Sequence, residues 1–102
     1  ASIYLKAVNL YDENYKYLPS LLNGFAWRMT ELGRNLPIAL EKVNIALEYG
    51  EDIQILDTKA EVLWKLGRTE DALEAINKCI QGDPNKKHYQ DQKVKFLENN
   101  NI

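Results

Sequence analysis

The chain has 102 residues, 45% of them hydrophobic and 27% charged, with 13 basic against 15 acidic side chains and a net charge of −2. That length suits one domain with a modest core, and the mixed charge leaves no basic footprint for phosphate backbones, so nucleic acid is not an expected partner. One cysteine, Cys79, excludes an internal disulfide, and one histidine, His88, removes most metal and nucleophile-base chemistry.

In chain order, the first residues show no basic segment followed by an apolar one, so no signal peptide is expected, and no apolar run is long enough to span a bilayer. The expected compartment is soluble, cytoplasmic or periplasmic. Ile3, Leu5, Ala7, Val8 and Leu10 suggest a helix from about Ser2 to Asp12, followed by a tyrosine-rich connection from Tyr11 to Leu18. Pro19 then falls in the first turn of a helix through Leu32, whose apolar residues are Leu22, Phe25, Ala26, Met29 and Leu32. Gly33 suits the left-handed position after a helix C-terminus. Pro37 suits the first turn of the next helix, which carries Ala39, Val43, Ala46 and Leu47.

The same pattern then recurs. Glu31-Leu32-Gly33-Arg34 falls on Lys65-Leu66-Gly67-Arg68, a shift of 34 residues. Before Gly67 stand Leu56, Ala60, Leu63 and Leu66; after it stand Ala72, Ile76, Cys79 and Ile80. Thr69 is the expected N-cap of this second helix, with Glu70 and Asp71 at the positive end of its dipole, and Gly82-Asp83-Pro84 stops it. Small residues at Ala26, Ala39, Ala46, Ala60, Ala72 and Cys79 permit close helix approach. A last helix from Lys86 to Asn99 is expected to set Tyr89, Phe96 and Leu97 on the apolar side and Lys86, Lys87, Lys93 and Lys95 on the wet side, with a frayed end from Glu98.

This pattern resembles the tetratricopeptide repeat, a helix-turn-helix of about 34 residues with alternating large and small positions. Leu56, Ala60, Leu63, Ala72, Ile76, Cys79 and Pro84 stand at the family's signature positions in one copy, and Leu22, Phe25, Ala26, Met29, Ala39, Val43 and Ala46 in the other. Three departures stand out: Lys59 where an apolar residue is usual, Glu51 in place of the closing Pro, and one extra residue in the turn from Asn35 to Pro37. The resemblance implies an all-α, antiparallel helix-turn-helix array of about six helices, a segment of right-handed superhelix. It divides the single domain into an N-terminal cap and connection (1–18), repeats at 19–52 and 53–85, and a C-terminal capping helix (86–99). A looser resemblance links LLNGFAWRMTELG, LDTKAEVLWKLG and KKHYQDQKVKF to helical regions appended to some bacterial thioredoxin-like or periplasmic proteins.

In the tetratricopeptide family, first-helix residues line a concave groove that holds a peptide or helix. The resemblance places Asn23, Trp27 and Glu31 of the first unit and Asp57, Glu61, Trp64 and Lys65 of the second on that face, followed by His88, Asp91 and Lys95. The two tryptophans either anchor a partner or cover the core edge and meet the N-terminal helix. Asp57 and Glu61 would favour a partner carrying Lys or Arg; taken as isolated side chains they are solvated surface charges. The cationic set that grips chaperone-tail carboxylates in this family is missing. Cys79 falls at a small core position and is expected to be inert, and His88 has no companion at metal-ligand spacing.

The expected function is therefore a non-catalytic module without cofactor or metal, holding a protein or peptide segment and forming part of a larger protein. The alternatives are a self-association module, giving a homo-oligomer, and an accessory helical domain of a thioredoxin-like or other enzyme.

Overall fold

A computed structural model describes residues 18–98. The expected helix from Ser2 to Asp12, its connection up to Tyr17 and the tail beyond Glu98 lie outside these residues. Within them the chain forms five α-helices and no strand: α1 (Leu18–Leu32), α2 (Leu36–Glu48), α3 (Ile53–Lys65), α4 (Thr69–Gly82) and α5 (Lys87–Glu98).

Each helix follows from the spacing of its apolar residues. In α1, Leu18, Leu22, Phe25 and Ala26 fall on one side and are buried, so the stripe recurs every three or four positions and faces the core. Glycines end the first helix of each pair by the same device. Gly33 has φ 66° and Gly67 φ 81°, a region where a side chain meets the following carbonyl oxygen. The amide of Arg34 then reaches back to the Met29 carbonyl at 3.0 Å, and that of Arg68 to the Leu63 carbonyl at 2.9 Å. These are matching Schellman closures, which satisfy carbonyls that a helix end leaves bare.

Helix starts differ more. Asn35 precedes α2 in the left-handed conformation, φ 53°, without a side-chain cap, and Pro37 sits in the first turn. The Asp52 carboxylate caps α3, accepting from the amides of Gln54 at 2.8 Å and Ile55 at 3.4 Å. Thr69, expected as the cap of α4, is instead its first helical residue, and Arg68 occupies the cap position without a side-chain cap to the helix's free amides. Only Arg68 separates the left-handed Gly67 from the helix, so the cap falls on it. Its guanidinium pairs with Asp71 at 2.7 Å.

Short turns fold α1 back on α2 and α3 back on α4; α2 packs against α3, α4 against α5, and α1 against α3. Two apolar clusters result. Leu22, Ala26, Ala39, Val43 and Ala46 are joined by Ile55 and Val62 of α3, while Leu56, Ala60, Leu63, Ala72, Ile76 and Cys79 are closed by Tyr89 and Phe96 of α5. Leu40 and Leu47 touch both. The six small residues at the helix crossings are all fully buried. Phe96, also fully buried, contributes on the order of 1.5–3 kcal/mol by leaving water. Leu32 and Leu97, expected in the core, are 48% and 58% exposed. Leu32 is the last residue of α1, beyond its packed turns, and Leu97 is turned about 100° from the buried Phe96 on a 3.6-residue helix.

Candidate partner-binding face

The ten residues assigned to the face by register divide into an open part on α1 and a closed part between α3 and α5. On α1, Trp27 is 38% exposed and Glu31 is exposed, while Asn23 is half-buried. The Asn23 Oδ1 is covered and has no hydrogen-bond partner.

On α3, Asp57, Glu61, Trp64 and Lys65 recur at helical spacing, and on α5 so do His88, Gln92 and Lys95. Docking α5 brings these two rows together. His88 Nε2 lies 2.8 Å from Asp57 Oδ2. Glu61 accepts from Gln92 at 3.0 Å and from the Lys95 ammonium at 2.9 and 2.8 Å. Lys95 also lies over the Trp64 ring, 4.7 Å from its centre, and Trp64 stacks on Phe96 with ring centres 5.6 Å apart. One ammonium is thus held by a carboxylate and a π-face together, contacts that strengthen as water is removed.

Two expectations are corrected by this arrangement. Glu61 is not a solvated surface charge; only 7% of it is exposed, because α5 lies across it. Lys95 is not on the wet side of its helix, since its side chain is one-third exposed and its ammonium is bound to Glu61. The acidic patch expected to attract a partner's Lys or Arg is met from within the chain, Asp57 by His88 and Glu61 by Lys95. Asp91 pairs along α5 with Lys87 at 2.9 Å. Lys65 reaches the Thr30 carbonyl at 3.0 Å, in the last turn of α1, where a cation meets the negative end of the helix dipole.

Thr30 was not legible as a member of this face, and Gln92, which register places on it beside His88, was not expected to be buried. Gln92 is 7% exposed and Thr30 1%, and the Thr30 hydroxyl returns its hydrogen bond to the Ala26 carbonyl at 2.7 Å. The spacing of Gln92 from His88 and Lys95 was a signal for its row, but nothing local says which polar residue turns inward.

Behind the face, burial pushes the Cys79 thiol up to about 12, with the Asp57 charge adding to the rise and a backbone hydrogen bond opposing it. The Tyr89 phenol is raised as well, first by burial and then by the nearby Cys79 and Asp57. Both groups are held in their neutral forms, the condition of packing residues. Among the described residues, no group of three or more His, Cys, Asp or Glu is placed to hold a metal. No helix among them is long and apolar enough to cross a membrane.

No protein-family model, no curated protein and no solved structure matches the chain. What stands on its own geometry is the class: an all-α domain of packed helical hairpins with one half-open polar and aromatic face.

Proposed function

We propose that the chain is a tetratricopeptide-like interaction module that binds a peptide or helix of another protein on the face formed by α1 and α3, without catalysis. Trp27 carries this reading: a large rigid aromatic, 38% exposed, at the register position that Glu61 and Lys95 occupy on α3 and α5. Aromatic side chains of this kind make effective anchors because they bury much area with few rotors to immobilise. The closed ladder between α3 and α5 supports the reading in a different way, by holding the scaffold rigid so that a partner need not order it. Asn23, Trp27 and Glu31 are the proposed contacts, Trp64 and Lys65 border them, and Asp57 and Glu61 serve chiefly to fix α5.

The test is a pull-down from lysate of the source cell comparing wild type with Trp27→Ala, bound proteins being identified by mass spectrometry and folding checked by circular dichroism. The expected result is a partner retained by wild type and lost with the folded variant. An identical set of bound proteins would refute the assignment.

A second reading, self-association, is favoured by Val94 and Leu97, which lie one turn apart on α5 and are 50% and 58% exposed. A second copy covering them would appear as a dimer in sedimentation, dissociated by Val94→Glu.

A further inference from the structure

We propose a second binding surface, a crevice between α2 and α4 that takes an acidic amphipathic peptide by seating one apolar side chain beside a carboxylate paired with Lys59. The observation behind it is internal to the chain. Under the 34-residue register that matches Leu22 to Leu56 and Gly33 to Gly67, Lys59 corresponds to Phe25, which is only 2% exposed. The second hairpin thus has a lysine where the first buries an aromatic ring. Beside Lys59 a crevice of about 260 Å³ opens, lined by Leu40 of α2, Leu56 and Leu63 of α3 and Ala75 of α4. Its size is below the ~300–1,000 Å³ of pockets that enclose whole ligands, and suits one side chain of a larger partner.

Electrostatics define the partner. Lys59 is half-buried among leucines of its own helix, and it forms no ion pair or hydrogen bond with a described residue. The other charged lining residues are Arg68 and Asp71, which neutralise each other at 2.7 Å, Lys78, loosely met by Glu51 at 3.7 Å, and Glu74, exposed at the rim. The lining therefore carries one more positive than negative charge, and of its two groups without an ion-pair partner Lys59 is half-buried while Glu74 is exposed to screening water. A partner's Asp or Glu reaching Lys59 would make a charge-assisted bond in a partly dry site, and an adjacent Phe or Leu would fill the space that Phe25 occupies by register in the first hairpin. This surface is formed by residues distinct from those of the Trp27 face, and stands or falls separately from it.

The experiment is selection of random dodecapeptides displayed on phage against the whole chain, with the enriched peptides then measured on variants by titration. The expected pool places an acid next to Phe or Leu. It binds Lys59→Arg as it binds wild type, loses about tenfold or more on Lys59→Phe and on Lys59→Glu, and is unaffected by Trp27→Ala. Circular dichroism of Lys59→Phe and Lys59→Glu guards against a folding artefact, and Lys59→Arg keeps the charge in place. A basic or uncharged pool, a pool whose binding follows Trp27 and ignores Lys59, or no enrichment at all overturns the proposal.

Discussion

The Lys95 ammonium lies 2.8 Å from a Glu61 carboxylate oxygen, and this pair fastens α5 to α3 beside the Trp64–Phe96 stack and the Gln92–Glu61 hydrogen bond. A buried ion pair is a weak source of net stability when compared with well-packed apolar residues, yet removal of one member leaves a charge stranded. Lys95→Ala is therefore expected to lower the unfolding free energy by about 2–3 kcal/mol, less than the ~3–5 kcal/mol of a fully buried pair because Lys95 remains partly wet. The double replacement Glu61→Leu with Lys95→Met is expected within about 1 kcal/mol of wild type. Urea denaturation measures both; a loss under about 0.5 kcal/mol for Lys95→Ala would reduce the pair to an ordinary surface contact.

The two tryptophans are expected to differ in stability effect. Trp64 stacks on Phe96 and supports Lys95, so Trp64→Ala should cost on the order of 2–3 kcal/mol, somewhat below a fully buried tryptophan. Trp27→Ala should cost less than Trp64→Ala, since 38% of Trp27 is already in water. Thermal melts of the two variants decide this. Equal losses would place Trp27 in the scaffold and weaken its assignment as a partner contact.

Backbone conformation separates Gly67 from Asn35. Alanine at Gly67 would have to hold φ 81°, at a cost of roughly 1–2 kcal/mol. Asn35 already holds φ 53° with a side chain that caps nothing, so Asn35→Gly should fall within about 0.5 kcal/mol of wild type. The same melts measure both substitutions, and a neutral Gly67→Ala would argue against the left-handed turn.

For Cys79, the folded thiol is raised from 9.0 to about 12, so above pH 9 the unfolded chain releases a proton that the folded chain retains. Stability contributed by the neutral thiol is therefore present below about pH 9 and is lost as pH rises from there toward 12. The raised Tyr89 phenol acts in the same direction. Cys79→Ala should flatten part of the alkaline fall in a urea-midpoint series. Iodoacetamide at pH 8 should label the native thiol at least about a hundredfold more slowly than the urea-unfolded one, because reaction awaits opening of the core. Rapid native labelling would contradict the burial.

Much of the helical layout was legible locally. Gly33 and Gly67 were readable as helix stops because few residues tolerate the left-handed region, and the six small residues were readable as crossing points because they recur at helical spacing. Thr69 was misplaced by one position, since capping preference identifies a residue type and the geometry of the preceding turn decides where the helix begins. Leu32 and Leu97 were misread because hydrophobic identity says nothing about whether a neighbouring helix arrives to cover it. For the candidate face, register collected Asp57, Glu61, Trp64 and Lys95, but not what they do to one another.

By itself, the amino-acid sequence determined the helices, their turns and which stripe of each is apolar, because hydrogen bonds within a helix and backbone sterics act over four or five residues. Only the tertiary structure decided that Glu61 is buried, that Lys95 reaches it across 34 residues of chain, and that Trp64 stacks on Phe96. Those outcomes depend on how α5 docks against α3, a contact between distant segments in which the desolvation of each charge is set by the side chain that comes to meet it.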